Sequence, residues 1–317
     1  VNIELSEEAA EYGRQALEAF KAAGGDGLVQ QAEAEPGHRA EQVAPVLAEL
    51  GAWDLDARGD ADELEAAAAL CRSAGYWAVP YPVAERLARP ADLGTDGLVV
   101  VAGTAPAGAV AGLDLRWTAV TPDGRRATAA ALPPAAPPRE SAFVTGLALT
   151  PLDEAGAADA ALGLVLPCWT LLGMLDRAID LAREHVLVRE QFGRPLAQFQ
   201  GVQFQLTDAE VERSGLEMMA RYALWSGQAN LPEALDDALA LRLAALEAAE
   251  TVFRVAHQLH GAIGFCDESP LSWISRYSQP VRRLPLGLSA TRDLLARRLG
   301  RHALTGRYGD VAERVTS

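Results

Sequence analysis

The stretch Arg189-Glu190-Gln191-Phe192-Gly193-Arg194-Pro195-Leu196-Ala197-Gln198-Phe199-Gln200 separates two long segments of helical periodicity, and this junction limits the fold more than any other feature of the chain. Before it, Leu171, Leu172, Leu175, Ala178, Ile179, Ala182 and Val186 recur at three- and four-residue intervals, the spacing of a helix with one buried face. After it, Val202, Leu206, Ala209, Leu216, Met219, Ala223 and Leu224 repeat the pattern as far as Trp225, with Met218 and Met219 expected as core filler. Gly193 and Pro195 stop the first helix, and a connection this short makes the two helices antiparallel neighbours. A further segment opens at Pro232 and runs to about Leu259, and another covers about Ser289 to Arg301. With the 162–188 segment, these predict a four-helix bundle.

The rest of the chain divides by texture. From Ser6 to about Leu87 the pattern is helical: Ser6-Glu7-Glu8 is a helix start, with an apolar face through Ala10, Leu17 and Phe20. Gly24-Gly25-Asp26-Gly27 breaks that helix, a second is expected from about Arg39 to Leu50, and a third from Asp62 to Ser73, ended by Gly75. From Gly97 short β-like runs take over: Leu98 to Val101, Ala109 to Val120, a Pro122-Asp123-Gly124 turn, Arg125 to Leu132, and Phe143 to Leu149, interrupted by the Pro133-Pro134 and Pro137-Pro138 pairs. Gly103 to Gly108 is glycine-rich without a following helix and reads as a loop, not a phosphate cradle. The expected fold class is α+β, mainly α: residues 1–95 a helical domain, 96–155 a reduced β domain and 156–317 the four-helix bundle.

Composition excludes several function classes. A formal net charge of −15 over 317 residues, with no basic run, argues against a nucleic-acid partner and against an anionic membrane surface. Cys71, Cys168 and Cys266 are odd in number, far apart and without zinc-ligand spacing, so they read as buried thiols of a reducing compartment. Val1 to Glu11 has no signal-peptide pattern, and no run of about eighteen uninterrupted apolar residues appears, so the expected location is the cytoplasm.

The block Arg-x-x-Phe-Gly with a glutamine seven residues beyond its glycine, here Arg189, Phe192, Gly193 and Gln200, resembles the FAD-binding signature of the acyl-CoA dehydrogenase family. A second block, Gln258-Leu-His260-Gly261-Ala262-Ile-Gly264, resembles that family's Gln-x-x-Gly-Gly-x-Gly turn and follows in the family's order. The resemblance implies FAD held across a subunit interface. Arg189 would serve the diphosphate, Phe192 the adenine and Gln200 the adenosine half, with Gln258, Gly261 and Ala262 beside the diphosphate. Each role suits its residue: a guanidinium gives permanently charged, forked donors to phosphate, a ring gives a flat face, and glycine lets backbone amides approach closely. Ala262 stands where the family's turn has its second glycine, the one departure from that pattern. His260, at a helix end, is expected to cap carbonyls.

The likeness continues through Glu268, Pro270, Leu271 and Arg276 and then stops at one point. Family enzymes remove the substrate's α-proton with a glutamate while the flavin takes the β-hydride. That glutamate falls here on Pro285 or Leu286 and, for members that carry it on the first bundle helix, near Gly163; none has a proton-accepting side chain. The resemblance therefore implies the short, base-lacking subunit of an α2β2 heterotetramer. A larger acyl-CoA dehydrogenase subunit would be its partner, an acyl-CoA of a steroid side chain the substrate, and an electron-transfer flavoprotein the acceptor. Two other readings stand beside it: a homomeric dehydrogenase whose base has moved to Glu268 or Asp159, and a flavin-free assembly protein. Asp159, Asp176 and Glu268 are themselves expected as solvated charges or caps.

Overall fold

The computed structural model describes residues 3–133 and 143–300; Pro134, Pro137 and Pro138 lie outside the described residues, as do Val1, Asn2 and everything from Arg301 onward. Its first helix, α1 (Glu7–Ala22), starts where Ser6 Oγ accepts from the Ala9 N–H at 3.3 Å, with Glu7 and Glu8 favouring the positive end of the helix dipole. The glycine run then turns the chain into α2 (Leu28–Ala34), which the sequence pattern did not separate. A π-turn over Arg39–Val43 leads into α3 (Ala44–Glu49). Asp60 caps α4 (Ala61–Tyr76) by accepting from the Glu63 N–H at 3.0 Å, and α5 (Val83–Leu87) follows Pro82.

Gly75 does not end α4. A Cβ there would overlap the Thr170 carbonyl, and one on Gly173 would overlap the Arg72 carbonyl. The two glycines face each other where α4 crosses α6 (Ala157–Val188), so the backbones come closer than any side chain allows. Their conformational freedom is irrelevant; the missing atom matters.

The β unit is one five-stranded sheet: β1 (Gly97–Val100), β2 (Ala107–Gly108), β3 (Trp117–Val120), β4 (Arg125–Ala131) and β5 (Thr145–Ala155), in the order β1-β3-β4-β5-β2. β1 and β3 are parallel, with Gly97 opposite Trp117; the other pairs are antiparallel. Alternation splits β1 between two cores. Leu98 and Val100 join the main core, while Val99 packs with Val110, Trp117, Ala119, Ala127 and Leu147 on the far face.

α6 then leads through a hairpin of β6 (Glu190–Gln191) and β7 (Arg194–Pro195) into α7 (Gln200–Gln228), followed by α8 (Ala234–His260), α9 (Pro270–Arg283) and α10 (Leu288–Leu299). The four expected bundle helices are present, and α9 is an addition: Pro270 occupies its first turn, where a missing N–H costs nothing, and Pro280 lies near its end. α6 is long and apolar enough to cross a membrane, yet most of its apolar stretch is buried inside the protein, as a core helix requires. One continuous core links Phe20, Leu70 and Ala74 of the N-terminal helices to Leu171, Ala249 and Ile274 of the C-terminal ones.

Three expectations about side chains are corrected. Met218 and Met219 are exposed, because α7 buries Ala209, Leu216, Ala220, Ala223 and Leu224 instead. Cys266 is exposed, unlike Cys71 and Cys168. Asp159 and Asp176 are not solvated: Asp159 is 1% exposed and clamped by Arg58 at 2.7 Å and Arg126 at 2.5 Å, and Asp176 pairs with Arg72 at 2.7 Å. Glu268 is exposed as expected.

Candidate functional site

The Arg189 block forms a two-residue hairpin turn. Phe192 (φ +53°) and Gly193 (φ +77°) both take the left-handed conformation, the geometry that matches the twist of tightly joined strands. Glycine adopts it freely; phenylalanine does so at a cost of about 1–2 kcal/mol. Phe192 is also 93% exposed, its ring edge to face with Phe199 at 6.2 Å. A strained, exposed aromatic ring at a loop tip costs the isolated chain stability in two ways, which marks it as a group held out for something else.

Arg189 caps the C-terminus of α6: its N–H donates to the His185 carbonyl at 2.9 Å, and its own carbonyl accepts from the Leu196 N–H at 2.8 Å. The backbone is fixed, while among the described residues its exposed guanidinium meets no acceptor and no carboxylate. Gln200 opens α7 and is exposed. The neighbouring cation, Arg194, is occupied over the Phe199 ring at 4.1 Å.

The second block closes α8 beside the first. His260 stacks on His185 at 4.5 Å and 20°, which brings the C-termini of α6 and α8 to one end of the bundle. His260 Nδ1 also lies 2.9 Å from the Ala256 carbonyl, so the ring serves the helix end as expected. Gly261 ends the helix at φ +64° with open space around a would-be Cβ. Gly264 differs, being buried with His260 Cβ 2.9 Å from where its own Cβ would be. Gln258 and Ala262 are exposed. All six sequence-assigned residues, Arg189, Phe192, Gln200, Gln258, Gly261 and Ala262, thus belong to one exposed end of the bundle. Leu187, Val188, Ile263 and Phe265 around them are exposed too, and Phe204, Val211 and Met218 continue the apolar surface along α7 at seven-residue intervals. Burial holds the His185, His257 and His260 rings below the ordinary histidine range, so this end carries neutral imidazoles.

The positions aligned with the family's base lie elsewhere, between sheet and bundle. Gly163 and Pro285 line one cavity of only about 50 Å³. A Cβ on Gly163 would stand 2.6 Å from Val100 Cγ2 and 3.2 Å from Leu98 Cδ2, so β1 rests directly on α6 where a glutamate stem would have to pass. Arg242, itself buried, donates to the carbonyls of Val281, Leu284 and Leu286 and pins the other segment. Sequence reasoning missed one group here. Glu85 of α5 is the carboxylate that lines both this cavity and an adjoining one of about 80 Å³ with Arg39 and Tyr277. Burial raises its pKa, against the opposing pull of nearby Arg39. No periodicity or motif signals it, since Glu85 lies in a five-residue helix.

Comparison with known proteins agrees with this geometry. Residues 165–299 match the family described as Acyl-CoA dehydrogenase, C-terminal domain. The 3-sulfinopropanoyl-CoA desulfinase of Paraburkholderia xenovorans is 40% identical over 105 residues, 33% of this chain, and the match spans 26% of that protein's length. Among solved structures, the ChsE4-ChsE5 complex from Mycobacterium tuberculosis aligns with a TM-score of 0.74 at 17% identity, covering 96% of this chain and 100% of the other. A variant of the Tcur3481-Tcur3483 steroid ACAD gives 0.74 at 21% identity, covering 93% and 98%. Residues 165–299 thus match the acyl-CoA dehydrogenase C-terminal domain, and the described chain has the fold of the solved acyl-CoA dehydrogenases.

Proposed function

We propose that this chain is the base-lacking subunit of a heteromeric, FAD-dependent acyl-CoA dehydrogenase. The observation that carries the reading is the closed cleft: both positions at which the family keeps its base lack an acid, and β1 occupies the room a glutamate at 163 would need. A cavity of about 50 Å³ is far below the roughly 300 Å³ at which ligand pockets begin. The open end of the bundle has the complementary character. Arg189 has a free guanidinium for a diphosphate, Phe192 a free face for a purine, and Gly261 unobstructed backbone, so the residues fit the adenosine-diphosphate half of FAD. Gln200, Gln258 and Ala262 complete that half-site.

FAD, when bound, accepts the substrate's β-hydride. In this division of labour Arg189 neutralises the diphosphate, Phe192 and the apolar surface exclude water from the interface, and the larger partner subunit supplies the base, the flavin-ring contacts and the acyl pocket. The substrate would then be an acyl-CoA, with a steroid side chain favoured by the likeness to the steroid ACAD, the acceptor an electron-transfer flavoprotein and the location the cytoplasm. Co-expression with the partner should give a yellow complex, and this chain alone a flavin-free one. A yellow, active product from this chain alone would overturn the reading.

Glu85 favours a second reading, a homomeric enzyme with a moved base, and takes the place of Asp159, which its two arginines hold in ion pairs. Glu85→Gln decides between them: loss of turnover in the chain expressed alone supports the moved base, whereas unchanged turnover of the co-expressed complex supports a base on the partner.

A further inference from the structure

A second recess lies at the opposite end of the bundle, on the other side of α6. Its volume is about 430 Å³. The start of α6 (Ala158, Ala161, Val165), the end of α7 (Leu224, Gly227) and the α7–α8 turn (Leu231) form most of its wall. Ala158, Ala161 and Val165 follow the three- and four-residue spacing of a single helix face, whereas Gly163 and Pro167 project from the face toward the sheet. The recess is therefore separate from the closed cleft. It is also remote from Arg189, since α6 has 32 residues and spans roughly 48 Å at 1.5 Å per residue.

Protein interiors close up around small side chains unless something prevents it. Here the ends of three helices diverge, and alanine and glycine stand where larger residues would fill the gap. The volume falls in the range of small-molecule sites, and its wall is mostly apolar with a polar rim. The rim holds one cation and one anion, and both are engaged. Arg58 pairs with Asp159 and donates to the Ala88 and Arg89 carbonyls, while Asp60 accepts from the Glu63 N–H as the cap of α4. What remains for a ligand is hydrogen bonding without a spare charge: Nη1 of the already ion-paired Arg58 guanidinium, which meets no acceptor among the described residues, and the exposed side-chain amides of Gln228 and Asn230. An ionised carboxylate would add charge beside Asp60 without finding a free countercharge.

We propose that this recess is a binding site for a compact, uncharged, mainly hydrocarbon molecule carrying one hydrogen-bond acceptor, an aliphatic or alicyclic ketone or alcohol. It is distinct from the flavin end and stands whether or not this chain holds FAD.

The test is binding of decan-2-one and of decanoate to the full chain, alone and in its co-expressed complex, by saturation-transfer NMR and calorimetry. Decan-2-one should bind, and at least tenfold more tightly than decanoate. Gly227→Leu supplies the steric control: nothing lies within 4 Å of a Cβ at that position, so the variant should fold and place its side chain in the recess. It should weaken decan-2-one binding at least tenfold with the circular dichroism spectrum and Tm unchanged. No binding of decan-2-one, or binding that Gly227→Leu leaves intact, overturns the site. Decanoate binding as tightly as the ketone overturns the uncharged ligand class.

Discussion

The two ends of the family resemblance have opposite physical states in this chain. At the bundle end, the Arg189 guanidinium is exposed and meets no acceptor among the described residues, Phe192 has a strained backbone and an exposed ring, and an apolar surface runs on along α7. Between sheet and bundle, Leu98 and Val100 pack against Gly163, Arg242 pins the 281–286 segment, and the two cavities that Glu85 lines there are about 50 and 80 Å³. One region is unfinished and the other is filled. A chain that bound flavin and substrate by itself would need the second region open; a chain that completes another subunit needs the first.

The largest expected effect comes from forcing an acid back into the filled region. Gly163→Glu places a stem 2.6 Å from Val100 and a carboxylate in an apolar gap, so it should cost about 3 kcal/mol or more, read as a lowered urea midpoint, and restore no activity. A stable variant that gains turnover would show the cleft to be open. Arg189→Ala should do the reverse, leaving the urea midpoint of the isolated chain within about 0.5 kcal/mol while reducing FAD retention of the co-expressed complex about tenfold or more, the effect of losing a charge-assisted contact of about 1.5–3 kcal/mol. Equal flavin occupancy in wild type and variant would remove Arg189 from the site.

Phe192→Gly sharpens the comparison, because strain and function then part company. Relief of the left-handed phenylalanine should stabilise the isolated chain by about 1 kcal/mol while weakening flavin retention in the complex. A variant that gains neither stability nor a flavin defect would make the turn ordinary. The smallest effect is the pH response of the histidine end. His185, His257 and His260 titrate below the unfolded value of about 6.5, so the unfolded chain binds more protons in the interval beneath it. Their contribution is whole above that pH and is lost as pH falls through the folded values. Tm should therefore drop by a few degrees between about pH 7.5 and pH 5.5, and less in His260→Gln; the same drop in both would assign it to other groups.

Local chemistry was legible in the sequence wherever one residue's backbone needs decide the outcome. The Ser6 cap, the break at Gly193 and the Gly261 helix end were all readable this way. Gly75 was not, because a glycine that ends a helix and one that admits a neighbouring backbone are the same letter, and only α6 distinguishes them. α9 carries Pro270 and Pro280, a residue type that breaks helix interiors, so periodicity gives little sign of it, although Pro270 sits at a permitted first turn. Met218 and Met219 lie on an apolar stripe that periodicity cannot assign to a core or to a partner. Asp176 was read as solvated because its partner, Arg72, is 104 residues away along the chain. Glu85 had no signal at all; its environment is made by the sheet, α6 and α9 together.

The glycine crossing of α4 over α6 has a mechanical consequence. With Gly75 against Thr170 and Gly173 against Arg72, the N-terminal helices and the bundle share a backbone-to-backbone seam that no rotamer change can loosen. That seam stiffens the join between the N-terminal helices and the bundle at the point where α4 crosses α6. Whatever binds at either end of that helix meets a frame set by backbone contact rather than by side chains.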